Sequence, residues 1–108
     1  MKFSVMKCVP CEGGVKPMSA AEARRNLRQV KGWGLKGNRI YRNFEFPNFK
    51  EAMGFAVAVG KIAEREGHHP DINIYSWNKV TLTLYTHAIK GLSRNDFILA
   101  AKANLVYK

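Results

Sequence analysis

The sequence predicts an α+β fold: a four-stranded antiparallel sheet with three helices packed on one face, in the order α-β-β-α-β-β-α. Three observations carry this prediction. Apolar residues recur at helical spacing in three stretches, two pairs of alternating stretches each turn at a polar dipeptide, and every element is apolar on one side only. Three helices over one sheet face bury all of those stripes at once. With 108 residues, of which 46% are hydrophobic, the chain has the size and composition of one globular domain with a single core. Residues 1–17 read as an N-terminal lead-in and 18–108 as the domain.

The elements follow in order. At Pro17-Met18-Ser19, Ser19 can cap the amide three residues on while Glu22 reaches back. Ala20, Ala23, Leu27 and Val30 continue at helical spacing, and Gly32 stops the helix. Trp33–Lys36 and Arg39–Phe46 form a hairpin around Gly37-Asn38, with Ile40, Phe44 and Phe46 on the buried face. Pro47 breaks the strand, and Asn48 with Glu51 offers a second cap. Phe49, Ala52, Met53, Ala56, Val59, Ile62 and Ala63 then keep helical spacing as far as Gly67. A second hairpin joins Ile72–Trp77 to Val80–Thr86 through Asn78-Lys79, with apolar Val80, Leu82 and Leu84 alternating against Thr81, Thr83 and Tyr85. Ser93 and Asp96 cap a last helix that carries Phe97, Ala100, Ala101 and Leu105.

Composition narrows the classes of function. The apolar stretches are far too short to span a bilayer. Lys2 and Lys7 are not followed by the apolar run and cleavage site of a secretory signal, so a cytoplasmic location is expected. Cys8 and Cys11 form one Cys-x-x-Cys with no second pair to complete a zinc site. Gly13, Gly14 and Pro17 follow it where a redox motif would start a helix, so no essential role is expected. The net charge of +10, from 18 Lys and Arg against 8 Asp and Glu, suits an acidic partner. The basic residues are scattered, however. The densest group, Arg24, Arg25, Arg28 and Lys31, reads as the solvated face of the first helix, and no nucleic-acid motif accompanies it.

The chain has three histidines: His68 and His69 after the second helix, and His87 at the end of the second hairpin. Imidazole, with an unperturbed pKa of about 6.5, both gives and takes protons near neutrality. If Asn78-Lys79 is a two-residue turn, Trp77 faces Val80 and His87 falls opposite Pro70, beside the other two histidines. Three histidines could also ligate zinc, but neighbouring residues in extended chain point to opposite faces, which arranges His68 and His69 poorly around one ion. The nearby Tyr75, Trp77 and Tyr85 suit a flat organic ligand better than a hydrated cation. Proton transfer, with no metal and no cofactor, is therefore the expected chemistry.

These residues also carry a resemblance. Glu64-x-x-x-His68-His69-Pro70, six residues, Trp77, nine residues, His87, eight residues and Asp96 closely resemble the signature of the pterin-4a-carbinolamine dehydratases. The runs Val80-Thr81-Leu82-Thr83-Leu84-Tyr85-Thr86-His87, Gly91-Leu92-Ser93 and Asn95-Asp96-Phe97-Ile98-Leu99-Ala100 are similar to that family too. The resemblance implies the same α+β fold, assembled as a homodimer or homotetramer. It implies dehydration of 4a-hydroxytetrahydropterin to quinonoid dihydropterin and water, the step that recycles tetrahydrobiopterin after an aromatic amino-acid hydroxylase. By the same resemblance His68, His69 and His87 are catalytic, and Gly67, Pro70, Tyr85, Thr86 and Ala88 form the pocket wall. Glu64 and Asp96 support the site. Relatives that act by docking, as coactivators of a homeodomain transcription factor or as carboxylase assembly factors, leave a protein-docking module as the alternative.

Overall fold

Each helix begins where a short polar side chain meets the backbone. A computed structural model of the chain describes residues 2–9 and 16–107, so Cys11, Gly13 and Gly14 lie outside the described residues. Ser19 Oγ accepts the Glu22 N–H and starts α1 (Ala20–Leu27), and Asn48 Oδ1 accepts the Glu51 N–H and starts α2 (Phe49–Glu66). A reciprocal Ser93/Asp96 capping box starts α3 (Arg94–Val106). The strands are β1 (Gly34–Lys36), β2 (Arg39–Glu45), β3 (Asp71–Tyr75) and β4 (Lys79–Leu84), arranged β1-β2-β4-β3 in one antiparallel sheet. Ile40, Phe44, Val80, Leu82 and Leu84 face the helices and are almost wholly buried. Short 3-10 turns cover Phe3–Val5 and His87–Ile89.

The first hairpin pairs Lys36 with Arg39 around Gly37-Asn38, as its dipeptide requires. Four details differ from the pattern-based expectation. First, α1 ends at Leu27 rather than near Gly32: Arg28, Gln29 and Val30 bond three residues back, and this tightening carries Val30 into the core. Second, Phe55 rather than Phe49 or Met53 faces the core from α2, packing on Phe44 and Phe46, whereas Phe49, Met53 and Val57 are exposed. Third, Leu105 is exposed while Ile98, Leu99 and Ala103 are buried. The N-terminal segment covers the far side of α3 and stacks Phe3 on Phe97 with ring centroids 5.7 Å apart, so that helix is enclosed on more than one side.

The fourth difference is the second hairpin. Tyr75 pairs with Lys79, and the loop is Ser76-Trp77-Asn78 rather than Asn78-Lys79. Asn78 is held across the sheet instead: its C=O accepts the Phe46 N–H at 2.9 Å, and its Nδ2 donates to the Phe46 C=O at 3.0 Å. Asp71 therefore lies opposite Thr83, β4 ends at Leu84, and His87 is no strand residue.

Gly67 closes α2 in the left-handed region, φ 68°, with its N–H bonded to the Ala63 C=O at 2.9 Å. A Cβ at this position would meet no atom within 4 Å, so Gly67→Ala costs backbone strain alone. The expected loss is about 1–2 kcal/mol, read in urea denaturation as a lower midpoint at unchanged slope.

Candidate active site

Beyond Leu84 the chain leaves the ladder. Thr86 and Gly91 exchange backbone hydrogen bonds as an isolated bridge, and the turn between them presents His87. Lys90 closes that turn at φ 52°. Gly91 is required here, because a Cβ would come within 2.6 Å of Pro17. The turn faces the Gly67–Asp71 segment that links α2 to β3, and a cleft of about 340 Å³ opens between them.

Its walls come from four parts of the chain. Gly67, His68, His69, Pro70 and Asp71 line it from the α2–β3 link, and Tyr85, Thr86, His87 and Ala88 from the segment after β4. Asn95 adds the first turn of α3, and Val9 adds the N-terminal segment. All three histidines thus share one cleft, with every wall residue named from the family signature. Tyr75 and Trp77 are not there. They lie at the far end of the β3–β4 hairpin, with Trp77 61% exposed, so the expected aromatic wall is reduced to Tyr85. Asp71, Asn95 and Val9 escaped the sequence reading. Asp71 and Asn95 adjoin signature residues, but nothing local marks Val9.

The adjacent histidines point apart. His68 is only 11% exposed, and its Nε2 lies 2.6 Å from Oδ1 of fully buried Asp96. The other Asp96 oxygen accepts the Thr86 hydroxyl at 2.7 Å and the Ser93 N–H at 3.0 Å. One carboxylate therefore caps α3, ties down the start of the His87 turn and orients His68. His69 is 60% exposed and pairs through Nε2 with Glu64 Oε2 at 2.5 Å, one turn back on α2. His87 is exposed, and its ring meets Tyr85 edge-on at 4.8 Å. The Arg39 guanidinium lies 4.0 Å from the centre of that tyrosine ring. Among the described residues, no group of three or more His, Cys, Asp and Glu is placed to hold a metal ion.

Beside the cleft, Glu66 is 6% exposed and ties the N-terminal segment to α2 and α3. The Cys8 N–H donates to its Oε1 at 2.9 Å, and Lys102 Nζ to its Oε2 at 3.0 Å. The Cys8 hydrogen bond foremost, with Lys102 and Arg65, holds its carboxyl below the usual glutamate range against the opposing effect of burial. A lowered native pKa contributes stability that is present at neutral pH and is lost as pH falls through that value. Glu66→Gln should accordingly flatten the acid limb of a stability–pH curve without steepening the alkaline one, as thermal unfolding across pH would show.

Fold and cleft together define a small α+β protein with its histidine-bearing end at one edge of the sheet. The chain belongs to the pterin-4a-carbinolamine dehydratase family, whose model, described as pterin 4 alpha carbinolamine dehydratase, matches residues 16–106. A protein of Nitrosomonas europaea, provisionally named pterin-4-alpha-carbinolamine dehydratase, is 47% identical over 104 residues, 94% of this chain and 90% of its own. One of Aromatoleum aromaticum with the same provisional name is 48% identical over 99 residues, 90% of this chain and 88% of its own. The crystal structure of a transcriptional coactivator/pterin dehydratase from Brucella melitensis superposes with a TM-score of 0.78 at 33% identity, covering 86% of this chain and all of that one. A pterin dehydratase-like RuBisCO assembly factor of the alpha-carboxysome shares the fold, with a TM-score of 0.56 at 23% identity over 68% of this chain and 83% of its own. Among the described residues, no helix is long and apolar enough to cross a membrane.

Proposed function

We propose that this protein dehydrates 4a-hydroxytetrahydropterin to quinonoid dihydropterin and water in tetrahydrobiopterin recycling, as a cytoplasmic enzyme. The observation that carries the reading is the arrangement of His68, His69 and His87 around one cleft, with His68 seated on buried Asp96. The elimination breaks the C4a–O bond and the N5–H bond and forms C4a=N5; the leaving hydroxyl gains one proton and N5 loses one. One proton acceptor and one donor suffice, each typically contributing about 10²–10⁴-fold. An ionised carboxylate can only accept, so the 2.6 Å contact with Asp96 sets the His68 proton on Nε2 and leaves the lone pair on Nδ1, the arrangement of a base that takes the N5 proton. His87, exposed and able to regain a proton from water, is assigned as donor to the 4a oxygen. His69, held by Glu64, orients the substrate beside them. Gly67, Pro70, Tyr85, Thr86 and Ala88 enclose the flat ring.

Freshly prepared 4a-hydroxytetrahydropterin should lose water faster with the protein than without it, and equal rates would overturn the reading. The exposed stripe Phe49, Met53 and Val57 on α2 favours self-association, as a homodimer or homotetramer. The same stripe supports a docking module as the second reading; rates equal to the uncatalysed reaction would leave that one standing.

A further inference from the structure

We propose that the N-terminal strap Cys8-Val9 is a wall of the substrate site, and that Asn95 and Glu66 are the positioning residues that hold it there. The inference rests on reading the cleft as a pterin site. Asn95 sits in the first turn of α3 and is 3% exposed. Its Oδ1 accepts the Val9 N–H at 3.0 Å, and its Nδ2 donates to the Val9 C=O at 2.6 Å. One side chain thus engages both polar groups of a residue 86 positions away, much as a neighbouring strand would. The strap cannot slide or turn at Val9 without losing both bonds and leaving a buried amide unpaired.

One residue earlier, the Cys8 N–H is bound by Glu66, which Lys102 holds in turn, and Cys8 Sγ lies 3.7 Å from the Asn95 C=O. Both anchors adjoin the proposed chemistry. Glu66 stands two residues before His68, and Asn95 stands immediately before Asp96. A strap fastened to these two segments keeps a constant distance from the histidines.

What it presents there is an isopropyl group. Val9 lines the cleft, yet it is 64% exposed. Had the strap served only to cover the core, its apolar side chain would be hidden as Phe3 is; a loose tail would not be gripped by a buried amide. A rigidly held apolar group facing open space in a cleft is a surface for a ligand to bury. Val9 exchanges no proton, so its contact strengthens substrate and transition state alike and acts on KM rather than kcat.

Val9→Gly should raise KM, and the Kd of an unreactive oxidised pterin followed by fluorescence quenching, by about tenfold, the lower range for a lost apolar contact, with kcat nearly unchanged. Asn95→Ala should do the same or more, and Asn95→Asp, which keeps the acceptor and loses the donor, should fall between. Thermal unfolding is measured for each variant, and Val9→Gly carries the test if Asn95→Ala does not fold. Wild-type KM and pterin affinity in folded Val9→Gly, beside a wild-type protein that binds and turns over pterin, would overturn the strap alone. A fall in melting temperature without a change in KM would reduce it to a structural tie and overturn it equally. A wild-type protein that neither binds nor dehydrates pterin would remove the functional reading, and the strap with it.

Discussion

His87→Ala should lower kcat by about 10²-fold or more, the loss expected when a general acid or base is removed, and leave the fold intact. The two halves of that statement have separate origins. His87 lines the cleft, and its ring meets that of Tyr85 edge-on. The backbone bridge between Thr86 and Gly91 and the Lys90 N–H to His87 C=O bond hold its turn, and both survive a change of side chain. An exposed substitution of this kind usually stays within about 0.5 kcal/mol. Steady-state kinetics and thermal unfolding on the same preparation separate lost chemistry from lost structure. Normal turnover in a folded His87→Ala protein would remove His87 from the mechanism and pass the donor role to His69, whose Nε2 is already committed to Glu64.

The gathering of the histidines illustrates what a sequence pattern does and does not encode. The spacing predicts His87 opposite Pro70 through a two-residue turn. The ladder instead runs Asp71 opposite Thr83, and His87 arrives on a 3-10 turn after the strand has ended. The turn is longer than the dipeptide because Asn78 is claimed by Phe46, 32 residues away, and no local signal reveals a partner at that distance. The helix caps were legible because each is a contract between residues three apart: Ser19 with Glu22, Asn48 with Glu51, Ser93 with Asp96. Gly67 was legible for a related reason, since a left-handed helix end favours glycine whatever surrounds it.

Burial on α2 and α3 was only half legible. Periodicity marks an apolar stripe, but Phe49, Met53 and Val57 make a second one beside that of Ala52, Phe55 and Val59, and spacing alone does not say which faces the sheet. On α3 the covering layer is the N-terminal segment, a piece of chain without periodicity of its own. The same segment supplies Val9 to the cleft, and with no periodicity or motif the strap carries no local mark of its own, unlike the signature residues.

The basic charge finds a simple place in the fold. Arg24, Arg25, Arg28 and Lys31 are all exposed along α1 and the turn after it, whereas the cleft carries the carboxylate of Asp71 beside its histidines. Arg42 is spent internally: its guanidinium lies 4.5 Å from the Phe44 ring centre and donates to Asn104 Oδ1 at 2.7 Å.

The sharpest discrimination comes from Asp96→Asn, which keeps shape and volume while it removes the charge and changes which atoms carry protons. The position of Asp96 Oδ2 receives the Ser93 N–H and the Thr86 hydroxyl, and a backbone N–H can only donate. The asparagine must therefore place its oxygen there, which turns its NH₂ group toward Nε2 of His68. Nε2 must then accept, so neutral His68 carries its proton on Nδ1 and has no lone pair to offer N5. The flipped amide would set two donors against each other in a site with no exposure to water, an unsatisfied arrangement costing about 1–3 kcal/mol. The expected outcome is a fall in kcat of about 10²–10⁴-fold, with KM little changed and the protein folded. Asp96→Ala should behave differently. It strips His68, Thr86 and Ser93 of their common partner and should lower stability by about 1–3 kcal/mol for each buried polar group left unpaired. Nitrogen chemical shifts of the His68 ring would report the tautomer directly in Asp96→Asn. Asparagine is itself a competent partner for the α3 cap, so near-normal turnover in that variant would confine Asp96 to holding the helix and the Thr86 turn, and would take the base assignment away from His68.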